Sequence, residues 1–119
     1  MKIKDGDCIG GFTNDKFYYS RAGKHIGGSG GAFLFNLSFF RYFPSKLKGK
    51  EMEFGNLFHF TGGDKDDLRV WYNKCTSYAN GSGYAIPIDK DGLNMLSNQK
   101  NEDFEITEME VWEVSFQEG

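Results

Sequence analysis

The sequence predicts an all-β protein, mainly an antiparallel β-sandwich of two sheets, with at most one or two short helices. Three observations predict it. The 119 residues include 12 Phe, 6 Tyr, 2 Trp and 16 Gly; aromatic side chains suit a pleated, half-buried surface and glycine suits tight turns. Turn signals recur at short intervals, at Asp5-Gly6, Gly27 to Gly31, Asn80-Gly81 and Asp89 to Gly92. No long helical pattern of apolar residues competes with them. A chain of this length makes one domain over residues 1–119.

The elements follow in order. Asp5-Gly6 is a favoured centre for a two-residue hairpin turn, which predicts strands near 2–4 and 8–13. Phe17, Tyr18 and Tyr19 make a short strand or an aromatic plug. The stretch "AFLFNLSFF" (residues 32–40) reads as one buried central strand. Phe33, Phe35, Leu37 and Phe39 share one face, and Leu34 and Phe40 flank the other. Pro44 and Ser45 end it. "PSKLKGKEMEF" is a charged connection with room for one strand, followed by "GNLFHF" with Leu57 and Phe58 on opposite faces, a turn at "TGGDKDD", and "LRVWY" with Leu68, Val70 and Tyr72 on one side. "LNMLSNQK" is a short strand or one helical turn. The last segment, "NEDFEITEMEVWEVSF" (residues 101–116), alternates but slips phase. One extra residue flips the faces of a strand, so a bulge near Thr107–Met109 restores the pattern. Phe104, Ile106, Val111 and Trp112 are then core.

Composition excludes some functions. A net charge of −3 argues against a dedicated nucleic-acid binder. No stretch is apolar enough to span a bilayer, so membrane insertion is not expected. The first residues lack the apolar segment of a signal peptide, so a cytoplasmic protein is expected. Cys8 and Cys75 are expected as free thiols. Residues 1–50 hold nine Lys/Arg against three Asp/Glu, whereas 51–119 hold five against fourteen. The two halves either interleave and neutralise each other or leave an acidic face for a basic partner.

Candidate chemistry is sparse. Asp64, Asp66 and Asp67 crowd one turn and are weak candidates for a metal. Aligning an EF-hand loop on Gly92 puts Pro87 first and Asn98 twelfth, which fails the ligand pattern. His25, His59, Cys8 and Cys75 show no zinc-site spacing. The many carboxylates lack the facing-pair arrangement that acid catalysis uses. The sequence therefore predicts no catalytic residues, no cofactor and no metal site. Glu108, Glu110 and Glu113 read as a solvent-facing acidic stripe and are the candidate interaction surface. The alternative is a calcium- or carbohydrate-binding sandwich module, with Tyr72, Tyr78 or Tyr84 as exposed aromatics.

Four segments in order carry a resemblance: "IGGFT" at 9–13, "GGAFLFNL" at 30–37, "FGNLFHFTGGDKDDLRV" at 54–70 and "DFEITEMEVWEV" at 103–114. Together they resemble the TLDc domain family, the oxidation-resistance type, in a short form like the divergent protist versions. Gly10, Gly11 and Phe12 match its first motif, Ala32, Phe33, Leu34, Phe35 and Leu37 its second, and Phe104, Ile106, Glu110, Val111 and Trp112 its last. The third segment is a rearranged version. The resemblance implies a two-sheet sandwich without an agreed catalytic residue set. It implies a protein partner, with subunits of the vacuolar proton ATPase as the candidate, and a part in oxidative-stress resistance.

Overall fold

The structure is a computed structural model that describes residues 1–4, 6–13, 25–26, 32–46, 52–54, 58–61, 66–70, 73–81 and 83–112. The expected turn at Gly27 to Gly31, the expected plug at Phe17 to Tyr19, and Leu57, Asp64, Trp71, Tyr72 and Glu113 lie outside the described residues. Within them the fold is all-β, with two antiparallel sheets and no helix.

The strands are β1 (Lys2–Ile3), β2 (Ile9–Phe12), β3 (His25–Ile26), β4 (Phe33–Asn36), β5 (Arg41–Pro44), β6 (Met52–Phe54), β7 (Phe58–Thr61), β8 (Asp66–Val70), β9 (Lys74–Thr76) and β10 (Asp103–Glu108). One sheet has seven strands in the order β1-β10-β9-β8-β7-β6-β3, and the other has three in the order β2-β4-β5. The core gathers the inner faces of both. Ile9, Leu34 and Phe43 come from the small sheet, and Ile3, Phe60, Leu68, Val70, Cys75 and Phe104 from the large one. Tyr84, Ile86 and Leu96 join them from the segment between β9 and β10. Each large aliphatic side chain sealed here contributes about 1.5–3 kcal/mol. Gly11 makes the close approach possible: a Cβ on it would lie 2.5 Å from the Phe60 ring and 2.9 Å from Leu34.

Four expectations are corrected. The first turn has three residues, Lys4 to Gly6, closed by Gly6 N–H to Ile3 O (3.0 Å) and Ile3 N–H to Asp7 O (2.8 Å). Gly6 takes φ 110°, the left-handed position that such a loop assigns to glycine. The second correction concerns residues 32–40. The strand there is central in its sheet, as expected, but it ends at Asn36. Leu37 to Phe40 form the four-residue turn into β5, because Asn36 pairs with Arg41. The faces also reverse: Leu34 and Asn36 are buried, Phe33 and Phe35 are half-buried, and Leu37, Phe39 and Phe40 are exposed. Pro44 closes β5 rather than β4.

Third, β10 stops at Glu108. Its bulge is present: Lys2 pairs with Glu108 and Ile3 with Ile106, so Thr107 is the extra residue. Beyond it the core assignment fails. Val111 and Trp112 are exposed, whereas Phe104 is buried and Ile106 is half-buried. Fourth, Tyr84 is a core residue, 1% exposed, with its ring edge-on to Phe60 at 6.3 Å. It is not a surface aromatic.

The segment between β9 and β10 is held by polar side chains. Asp89 Oδ1 accepts from Asp91 N–H (2.8 Å) and Leu93 N–H (3.0 Å). The Leu93 bond foremost, with the Asp91 bond, holds the Asp89 carboxyl below its ordinary pKa. Asn94 Oδ1 accepts from Leu96 N–H and Ser97 N–H, while its amide donates to Ser77 Oγ at 3.1 Å. "LNMLSNQK" is therefore a single turn, closed by Asn98 N–H to Asn94 O at 2.7 Å.

Candidate functional site

Two surfaces stand out, one at each end of an element. The first is the β4–β5 turn. Asn36, fully buried, donates to Leu96 O (2.8 Å) and Asp7 Oδ2 (3.4 Å) and accepts from Phe39 N–H (3.0 Å). Leu37 N–H donates to Cys8 O (2.8 Å), and Cys8 N–H donates to Ser38 Oγ (2.9 Å). Arg41 donates to Met95 O (3.2 Å) and lays its guanidinium 4.8 Å from the centre of the Phe39 ring. The turn is thus tied down on several sides. Sequence reasoning missed it, although an Asn within an aromatic run was the available turn signal.

The second surface follows β10. Met109, Val111 and Trp112 are exposed and alternate with Glu108 and Glu110, also exposed. Trp112 Nε1 donates to Glu110 Oε2 at 3.0 Å. Two of the three predicted interaction residues therefore stand on an exposed segment, together with Val111 and Trp112, which the sequence had suggested as core.

Of the metal candidates, Asp66 and Asp67 stand on β8 at a register shift: Thr61 pairs with Asp66 and Phe60 with Leu68, so Asp67 is the extra residue. Asp67 is fully buried, with Ser77 Oγ donating to its backbone carbonyl at 2.7 Å. A Cβ on Gly81 would lie 2.6 Å from its Oδ1. It is a strand residue facing the loop after β9, not a solvated turn residue. Among the described residues, no group of three His, Cys, Asp or Glu is placed to hold a metal ion.

The histidines and cysteines also resolve by register. His25 on β3 pairs with Glu53 on β6, Glu53 pairs with His59 on β7, and His59 pairs with Arg69. Residues from distant parts of the sequence therefore share one cross-strand row, which linear spacing concealed. Cys75 belongs to the next row, with Val70 and Phe104, and successive rows face opposite sides of a sheet. Both cysteines are free. Burial pushes the Cys75 thiol up to about 12, and its Sγ lies 3.9 Å from Met1 Sδ.

A cavity of about 90 Å³ lies among Ser77, Asn94, Gln99 and Glu102. Small-molecule sites commonly span about 300–1,000 Å³, so this one is undersized. An open depression of about 540 Å³ is walled by the consecutive residues Lys100 to Asp103 and gathers no convergent set of groups. Among the described residues, no helix is long and apolar enough to cross a membrane. Comparison with protein-family models, curated proteins and solved structures finds no match.

Proposed function

We propose that this chain is a non-enzymatic protein-interaction domain. The observation that carries the reading is the exposed segment after β10, where Met109, Val111 and Trp112 interleave with Glu108 and Glu110. Exposed apolar side chains rimmed by charge mark interaction surfaces, and Trp is a frequent binding anchor. Its carboxylates call for a basic, partly apolar partner and would chiefly set association rate and salt dependence. The TLDc resemblance supports the same reading. It makes cytoplasmic subunits of the vacuolar proton ATPase the first partners to try, and oxidative-stress resistance the first phenotype.

The test is a titration of purified subunits with wild-type protein and with the variant Glu108→Lys/Glu110→Lys/Glu113→Lys. Affinity should fall while the melting temperature stays nearly constant, since surface changes of this kind cost within about 0.5 kcal/mol. Unchanged affinity removes this surface from consideration.

One observation favours the carbohydrate reading as a second proposal. On the outward side of the small sheet, Phe33 stacks on Phe12 at 5.1 Å and meets Tyr42 at 5.0 Å. Such a ring platform suits the apolar face of a sugar. A thermal scan against a glycan panel, with and without millimolar calcium, tests it, because a ligand specific to the native state raises stability. No shift in any well rejects it.

A further inference from the structure

We infer that the β4–β5 turn is an anchor that seats the protein on an anionic lipid bilayer surface. The inference goes beyond the proposed protein partner and stands on different residues.

Phe40 has φ 54° and is 92% exposed. An L-residue in the left-handed region is strained, and Gly or Asn fills such positions at lower cost. A phenyl ring held outward there contributes nothing to the core. Strain of this kind is characteristic of binding and catalytic positions.

The side chains around it are graded from tip to base. Leu37, Phe39 and Phe40 are exposed at the tip, 54%, 47% and 92% respectively, and none is charged. Tyr42 and Arg41 come directly behind. That order matches an interfacial element, with apolar groups in the acyl boundary and Tyr and Arg at headgroup level. Part of the turn's polar backbone is already turned inward, which lowers the cost of bringing it to a membrane surface. Leu37 N–H and Phe39 N–H are both bonded within the protein, and the Ser38 hydroxyl is engaged by Cys8.

Charge selects the kind of surface. From Lys16 to Lys50 the sequence holds Lys16, Arg21, Lys24, Arg41, Lys46, Lys48 and Lys50 and no Asp or Glu. The turn lies inside this basic stretch, and basic segments are drawn to anionic leaflets. The carboxylates behind the turn are held inward, Asp7 by the Asn36 amide and Asp89 by two backbone N–H groups with the Arg41 charge beside it. The contact is peripheral, with side chains entering the interface and no segment spanning it.

The test is co-sedimentation of the full chain with two sets of vesicles. One set is phosphatidylcholine alone, and the other is roughly a third phosphatidylserine. Wild-type protein should pellet with the anionic vesicles and be released by salt. Phe40→Asn should lower vesicle affinity about tenfold or more with an equal or higher melting temperature, and Phe40→Leu should retain most binding. The inference is overturned if wild-type protein ignores the anionic vesicles or binds neutral ones equally well. It is also overturned if Phe40→Asn binds like wild type, or if Phe40 governs only self-association or capture by a protein.

Discussion

Gly11 and Gly81 sit where one methyl group would collide with a neighbour. At Gly11 the obstacles are the Phe60 ring and Leu34, both in the core between the sheets. Overpacking of this kind costs about 1–3 kcal/mol, so Gly11→Ala should lower the urea midpoint clearly at constant slope. Gly81→Ala meets the buried Asp67 carboxylate, 2.6 Å from the new Cβ, and should cost a similar ~1–3 kcal/mol in the same titration. "IGGF" was readable as a glycine-bearing strand, but not the reason for Gly11, since Phe60 arrives from far along the chain. Cys75 gives a pH-dependent prediction. Its thiol rises from an ordinary 9.0 to about 12 in the fold. Below pH 9 both states hold the proton and the contribution is complete. Above it the unfolded state ionises first, so stability declines as pH rises toward 12. A pH series of denaturant titrations should show this decline, weaker in Cys75→Ala. Native Cys75 should resist alkylation at neutral pH and react once unfolded.

β10 and the segment after it separate two readings of one stretch. Phe104 is core, and Phe104→Ala should cost about 3–5 kcal/mol. Trp112, 75% exposed, should cost no more than about 0.5 kcal/mol on the same change. Paired denaturation curves measure both. Alternation located β10 and its slip located the bulge at Thr107, because both are properties of consecutive residues. The end of the strand was illegible. It depends on β1, whose pairing reaches Lys2 opposite Glu108, and nothing local to Val111 or Trp112 records where a distant partner stops. Residues 32–40 misled for a related reason. Apolar character was taken as burial, yet Leu37, Phe39 and Phe40 form an exposed turn. Apolar residues are often exposed, and only the sheet pairing shows which ones.

At the scale of the whole molecule, the all-β class and its two sheets were legible from composition and turn spacing. Strand order was not, because pairing partners lie far apart in sequence. The same limit hid the row of His25, Glu53, His59 and Arg69. One ion pair joins the oppositely charged halves: Lys4 reaches Glu105, on β10, at 3.7 Å. That pair and Lys74–Asp103 at 4.0 Å have side chains at least half solvent-accessible, and exposed pairs contribute about 0–1 kcal/mol. Raising salt from low to roughly 0.5 M should therefore leave the melting temperature nearly unchanged; a large fall would show that charge pairing carries more of the stability.

The pairing of β1 with β10 also bears on how the molecule is made. Lys2 and Ile3 bond locally to the turn that follows them, but their place in the seven-stranded sheet comes only from Glu108 and Ile106. Translation proceeds at about 5–20 residues per second, so a nascent β1 waits on the order of 5–20 s for its neighbour. During that interval β1 has only its local bonds to Asp7 and Cys8, and the flank of β9 that β10 will cover is unpaired. The seven-stranded sheet is thus closed last, from the two ends of the fold at once. A ribosome-stalled chain ending before residue 103 should be cut by protease within β9, where the released protein is protected.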